Sequence, residues 1–170
     1  PILYFFIICA IFIFQTRPIN GTPVLSEAAF ESGSELSFSD GVPGYELMWL
    51  PIPGTKSLVA KSTLITNISW RQLQELGFVD GKPIIMDNKL YFVRLPWLGT
   101  SPNAKNEVAG RPNDNLCYWG RETFISFEGK KPEQRSPIFG GPDNTWLSAH
   151  PATQRLNLGF RPVIDPGLNM

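Results

Sequence analysis

What most limits the fold of this chain is the spacing of its punctuation. Glycine occurs 15 times and proline 16 times in 170 residues, with no period and no low-complexity block. The apolar runs between them are short. Long packed helices cannot be built from such pieces, whereas many short strands joined by turns can. The expected class is α+β, with irregular antiparallel sheets, long loops and a short helix. The length holds one domain and a short leader. With 15 basic and 15 acidic residues, the chain has no electrostatic footprint for nucleic acid.

The first fourteen residues, PILYFFIICAIFIF, carry no charge. A helical bilayer span takes about 20 apolar residues, so this run reads as the core of a signal peptide or as an anchor. It lacks a basic leading region, so its start is expected upstream of Pro1. The expected organisation is residues 1–20 as signal or anchor, 21–44 as a polar lead-in, and 45–166 as the domain. That places the protein outside the cell or on its surface, touching membrane only through the N-terminal segment. Cys9 falls in the leader. Cys117, within Leu116-Cys117-Tyr118-Trp119, is left without an internal partner and reads as a buried, inert thiol. Asn20-Gly21-Thr22 and Asn67-Ile68-Ser69 are sequons, meaningful only in a eukaryotic secretory pathway.

Local chemistry predicts several elements. Tyr45–Leu50 and Leu58–Ile65 read as strands around the turn Pro51-Ile52-Pro53-Gly54. Ser69 followed by Gln72 makes a capping box, and Gly77 supplies the helix stop. Pro83–Met86 and Leu90–Leu95 read as a hairpin around Asp87-Asn88-Lys89. Leu116–Trp119 and Thr123–Phe127 read as short strands. Residues 99–115 and 128–143 read as two long polar loops, and loops of that length are usually functional or mobile.

The run Asn67-Ile68-Ser69-Trp70-Arg71-Gln72-Leu73, then Gly77 and Gly81, then Leu90-Tyr91-Phe92-Val93-Arg94-Leu95, and the closing Gly159-Phe160-Arg161-Pro162-Val163 resemble a group of phage virion and bacterial surface proteins. The closing motif is also distantly similar to that of the formylglycine-generating-enzyme type of C-type-lectin-like fold. The resemblance spans roughly residues 45–164. It implies a C-type-lectin-like domain whose first and last strands are adjacent. It also implies that Gly159 permits a close approach and that Arg161 is structural, bonding carbonyls or a carboxylate.

Enzymes of that type use a cysteine pair, and their iron-dependent relatives use several histidines. Here the residues beyond the leader offer Cys117 and His150 only. The expectation is a non-catalytic recognition domain without a cofactor. It would bind a glycan, a cell-surface protein or an assembly neighbour, a virion among the assemblies considered. The rivals are an enzyme relative that has lost its cysteine pair, and a purely structural virion or surface-fibre subunit. Calcium is kept as an alternative, with Asp114 and Asp143 supplying oxygens beside prolines, although turn chemistry accounts for both. Trp97 and Trp119 read as core. The binding face is expected at 111–115 and 140–155, with Trp146 as aromatic anchor and Asn144, His150 and Arg155 as polar partners.

Overall fold

The computed structural model describes residues 9–14, 28–30, 35–40, 47–86, 88–104, 107, 115–127 and 131–167. In chain order the elements are β1 (Cys9–Phe14), β2 (Ala28–Ala29), β3 (Glu35–Asp40), β4 (Trp49–Pro51), β5 (Leu58–Ala60), β6 (Ile65–Thr66) and α1 (Trp70–Glu75). They continue with β7 (Lys82–Met86), β8 (Lys89–Arg94), β9 (Cys117–Trp119), β10 (Phe124–Ser126), β11 (Glu133–Gly140), β12 (Thr145–Ala149), β13 (Leu158–Phe160) and β14 (Val163–Pro166). The protein is sheet-rich with one short helix among the described residues, an α+β arrangement.

The larger sheet runs β10-β11-β9-β13-β6-β2, with β12 also paired to β11; the smaller runs β4-β5-β14-β8-β7. β1 pairs with β3. The ladders are antiparallel apart from β13 with β9 and β2 with β6.

Helix α1 is short but closed chemically at both ends. Ser69 Oγ accepts the Gln72 N–H at 3.2 Å, and Gln72 Oε1 accepts the Ser69 N–H at 2.9 Å. At the other end Gly77, at φ 85°, donates its N–H to Gln74, and Phe78 donates to Leu73 at 2.8 Å. These two bonds satisfy the last helical carbonyls and stop the helix. Trp70 and Leu73 turn inward from it. The sequon at Asn67 ends in this same buried cap. Asn67 Nδ2 lies 3.4 Å from the Phe30 carbonyl, a contact that a glycan would displace.

The hairpin of β7 and β8 pairs Met86 with Lys89, and Asn88 takes the positive φ of 57° that the tight turn requires. The segment 128–143 is not one long loop, because β11 occupies much of it. Pro137 is tolerated inside that strand. β9 pairs with 138–140 of β11 and β10 with 133–135, so Pro137 stands at the break between them. Its carbonyl accepts the Gly120 N–H there at 2.8 Å, and no ladder donor is needed from its ring nitrogen.

The closing run is two strands, not one. Leu158–Phe160 belongs to the larger sheet and Val163–Pro166 lies in the middle of the smaller, so Arg161-Pro162 carries the chain from one sheet to the other. Gly159 lies so close to β6 that a Cβ would stand 1.9 Å from the Ile65 carbonyl oxygen. Arg161 is fully buried. Its Nε donates to the Ala60 carbonyl at 2.7 Å and its Nη1 to the Tyr118 hydroxyl at 3.1 Å, with the guanidinium 4.9 Å from the Tyr118 ring centroid. The Pro162 carbonyl accepts the Ala60 N–H at 2.9 Å. The expected adjacency of first and last strands does not hold for the 45–166 segment. β14 pairs with β5 and β8, and β4 is one strand further out.

One core joins both sheets and the helix, built from Trp49, Ile65, Leu73, Phe78, Val93, Trp119 and Phe160 among others. Phe30, Leu36 and Phe38 belong to it too, so the stretch expected as a polar lead-in supplies core. The Phe78 ring lies 5.9 Å from Phe38 and 5.2 Å from Phe160. Of the expected leader, 9–14 forms β1; residues 1–8 and 15–20, with Asn20, lie outside the described residues. No helix among the described residues is long and apolar enough to cross a membrane.

Candidate functional site

The stretch 140–155 begins with a tight turn. Gly140 and Gly141 take φ of 119° and 76°, Asn144 takes 53°, and the Asn144 N–H closes on the Gly141 carbonyl at 3.1 Å. A Cβ on Gly140 would stand 2.3 Å from the Leu116 carbonyl oxygen, so the turn is packed tightly against the start of β9. β12 then runs beside β11, with Trp146 opposite Phe139 and Leu147 opposite Ile138.

Trp146 is half-buried. Its ring lies 6.0 Å from that of Phe124, and its buried indole N–H, like Asn144 Oδ1, has no hydrogen-bond partner among the described residues. It is therefore a packing residue as much as a surface one. His150 and Arg155 are exposed, but they lie at the far end of the strand. Six residues of extended chain span about 20 Å, so Asn144 and His150 do not converge. The segment after β12 is seated on the start of α1. The Arg71 N–H donates to Pro151, Gln154 Nε2 donates to Gln72 Oε1 at 2.8 Å, and His150 Nδ1 accepts the Ala152 N–H at 3.2 Å. The four expected ligand-binding residues thus form a strip, not a pocket. Of the rest of the expected face, 111–114 lies outside the described residues.

The opposite face of the same strands carries exposed apolar side chains, since Trp146 pairs with Phe139 and Leu147 with Ile138. By register, Ile125 and Leu147 flank β11 on the face of Ile138, and they are 52% and 51% exposed. Phe127, two residues on, is 76% exposed.

Two tryptophans expected in the core part company. Trp119 is fully buried and donates its indole N–H to the Ile68 carbonyl at 2.8 Å. Trp97 is 50% exposed, with the Arg121 guanidinium 5.7 Å from its ring centroid. The reason is that β8 ends at Arg94 and the sheet no longer dictates direction. Instead Glu107 Oε2 accepts the Trp97 N–H at 2.8 Å, and the Trp97 carbonyl accepts the Glu107 N–H at 2.7 Å.

Glu107 is itself gripped by Arg94. The guanidinium donates to Glu107 at 2.6 and 2.9 Å, to Asp165 at 2.6 and 3.1 Å, and to the Leu95 carbonyl at 3.0 Å. Ser57 Oγ donates to the same Asp165 carboxylate. Burial opposes the charge on Arg94, but hydrogen bonds and attraction from Glu107 and Asp165 outweigh it and push its pKa above the ordinary arginine value. The long loop after β8 is thus tied to the centre of the smaller sheet through one carboxylate.

Among the described residues no group of three or more His, Cys, Asp and Glu side chains is arranged to hold a metal ion. Asp143 sits exposed in the turn before β12, and Asp114 lies outside the described residues. Cys117 is half-buried rather than buried. A shallow cleft of about 350 Å³ opens between the turn after β4 and the ends of β8 and β14, lined mainly by Pro51, Leu58, Tyr91, Ile164 and Pro166. No family model, no curated protein and no solved structure matches the chain.

Proposed function

We propose that this chain is a non-catalytic recognition domain of an exported or surface protein, of C-type-lectin-like type, and that it docks on another protein: a cell-surface protein or a neighbour in an assembly. The observation that carries this reading is the exposure of Ile125, Phe127 and Leu147. Ile125 and Leu147 stand on the two strands that flank β11, and Phe127 just past β10, each more than half exposed; large apolar side chains are costly to leave in water, and surfaces that expose several of them mark interaction sites. The motif order from Ser69 to Val163 supports the fold-level part. The sheet-crossing Arg161 and the close approach at Gly159 give the closing motif a structural reason.

The fitting ligand on this side is a protein surface with its own apolar patch. Trp146, on the other face of β12, packs against Phe124 in place of the anchor role first expected of it. The test is photo-crosslinking from position 147 in cells that make the protein, with position 56 as control. A discrete adduct from 147, lost in Phe127→Glu and reproduced with the purified partner, is the expected result. Equal labelling from both positions, or an adduct that survives Phe127→Glu, refutes the assignment.

A further inference from the structure

We infer that Trp97, Arg121 and Asp80 form a binding subsite for a neutral pyranose ring, separate from the apolar strip and not dependent on it. Trp97 is a large aromatic ring left half in water. An exposed ring is common enough; an exposed ring on a backbone this firmly held is not. Its N–H and its carbonyl are both bonded to Glu107. The next two N–H groups, of Leu98 and Gly99, donate to the two oxygens of Glu122 at 3.2 and 2.7 Å. The Arg121 N–H donates to the Pro96 carbonyl at 2.9 Å. Leu98 is fully buried, and a Cβ on Gly120 would stand 2.8 Å from it, so the residue after Trp97 is wedged into the core. Three consecutive N–H groups are thus accepted by two carboxylates, one of them held by the buried Arg94. Such an arrangement fixes where the indole projects before any ligand arrives, which removes the ordering cost from binding.

The surroundings select the ligand. Arg121 lies over the ring and reaches Asp80 Oδ1 at 3.3 Å, while Asp80 itself is largely exposed. Thr100, Ser101 and Asn103, in the segment that follows, are exposed as well. With Arg121 over one face of the indole and Asp80 beside that guanidinium, the ring offers its other face to the C–H face of a sugar, and the charged pair offers hydrogen bonds to its hydroxyls. A purely apolar ring would stack equally well, but it would cover the charged pair without offering bonds to it, and polar groups covered in that way cost free energy. An acidic sugar finds the Arg121 charge already paired with Asp80, so its carboxylate would gain no unpaired cation there. A neutral pyranose satisfies both requirements.

The experiment uses the full chain labelled with ¹⁵N and titrated with cellobiose, maltotriose and N,N′-diacetylchitobiose, followed at the tryptophan indole N–H signals. Glucuronic acid and indole serve as comparison ligands. The expected result is saturable movement of the Trp97 signal with at least one neutral saccharide at millimolar concentration, the range in which a single ring on one platform binds. Followed at the Leu98 and Gly99 amide signals, Trp97→Ala should weaken that binding by about tenfold or more, and Asp80→Asn by a few-fold. A melting curve for Trp97→Ala that matches the parent excludes misfolding; should that variant unfold, Trp97→Leu takes its place. The inference is overturned if no neutral saccharide moves the Trp97 signal up to about 20 mM. It is overturned equally if indole or glucuronic acid binds as tightly as the best saccharide, or if the variants bind unchanged.

Discussion

Trp97 and Trp146 stand in similar company in the chain, each beside a polar turn and close to a strand, yet the fold treats them differently. Trp146 is inside β12, where the ladder to β11 fixes its direction and sets its ring against Phe124. Trp97 lies three residues past the end of β8, where no ladder acts, and Glu107 and Glu122 hold that segment instead. A ladder sends alternate side chains to opposite faces, so a tryptophan in one is buried or exposed according to its face. Side-chain clamps obey no such alternation. The difference shows that the exposure of an aromatic here is decided by what holds its backbone, not by the apolar character of its neighbours.

The strongest way to break the comparison is to remove the arginine under the clamp. Arg94→Met leaves Glu107 and Asp165 facing each other with their shared cation gone. Breaking a buried ion pair from one side typically costs about 3–5 kcal/mol, and Glu107 and Asp165 are 20% and 30% exposed, which favours the lower end. The expected loss is about 3 kcal/mol in urea unfolding, together with faster hydrogen exchange at the Trp97 amide. A loss below about 1 kcal/mol with unchanged exchange would show that the clamp does not depend on Arg94.

That network also marks where sequence reading stops. Arg94 and Asp165 are 71 positions apart, and Arg94 and Glu107 are separated by 13. Nothing local announces either pair. The capping box of α1 and the Asn88 turn were legible because each is complete within a few residues. The crossing at Arg161-Pro162 was half legible: the odd residues were visible, but a strand that changes sheets looks the same in sequence as an irregular strand. Leu36 and Phe38 did leave a signal. Their spacing of two is that of a one-sided strand, and the serines around them obscured it. The split of the expected binding strip was not legible, since the extended length between Asn144 and His150 becomes decisive only once β12 is known to be a strand.

Trp146→Ala gives the next largest effect. Full burial of a tryptophan makes its truncation cost about 3–5 kcal/mol. Trp146 is half-buried and its indole N–H has no partner among the described residues to lose, so about 2 kcal/mol is expected, read from the urea midpoint. A loss under about 0.5 kcal/mol would place Trp146 with the surface residues and erase its contrast with Trp97.

Trp97→Ala should be the mildest of the three. Its backbone bonds to Glu107 and those of Leu98 and Gly99 to Glu122 involve no indole atom, so they survive the truncation. What is lost is contact between the half-exposed ring and its neighbours, chiefly Arg121 over its face. A cation over an exposed ring contributes about 0.5–1 kcal/mol, and Arg121 keeps its carboxylate partner Asp80 after the change. The expected loss of stability is therefore about 0.5 kcal/mol, at the edge of what a surface substitution does. Hydrogen exchange at Leu98 and Gly99 should stay as slow as in the parent. If the variant instead loses about 2 kcal/mol, the indole is a packing element like that of Trp146. If stability holds but those two amides exchange fast, the ring and not the carboxylates orders the segment, and the clamp is a consequence of the tryptophan's position rather than its cause.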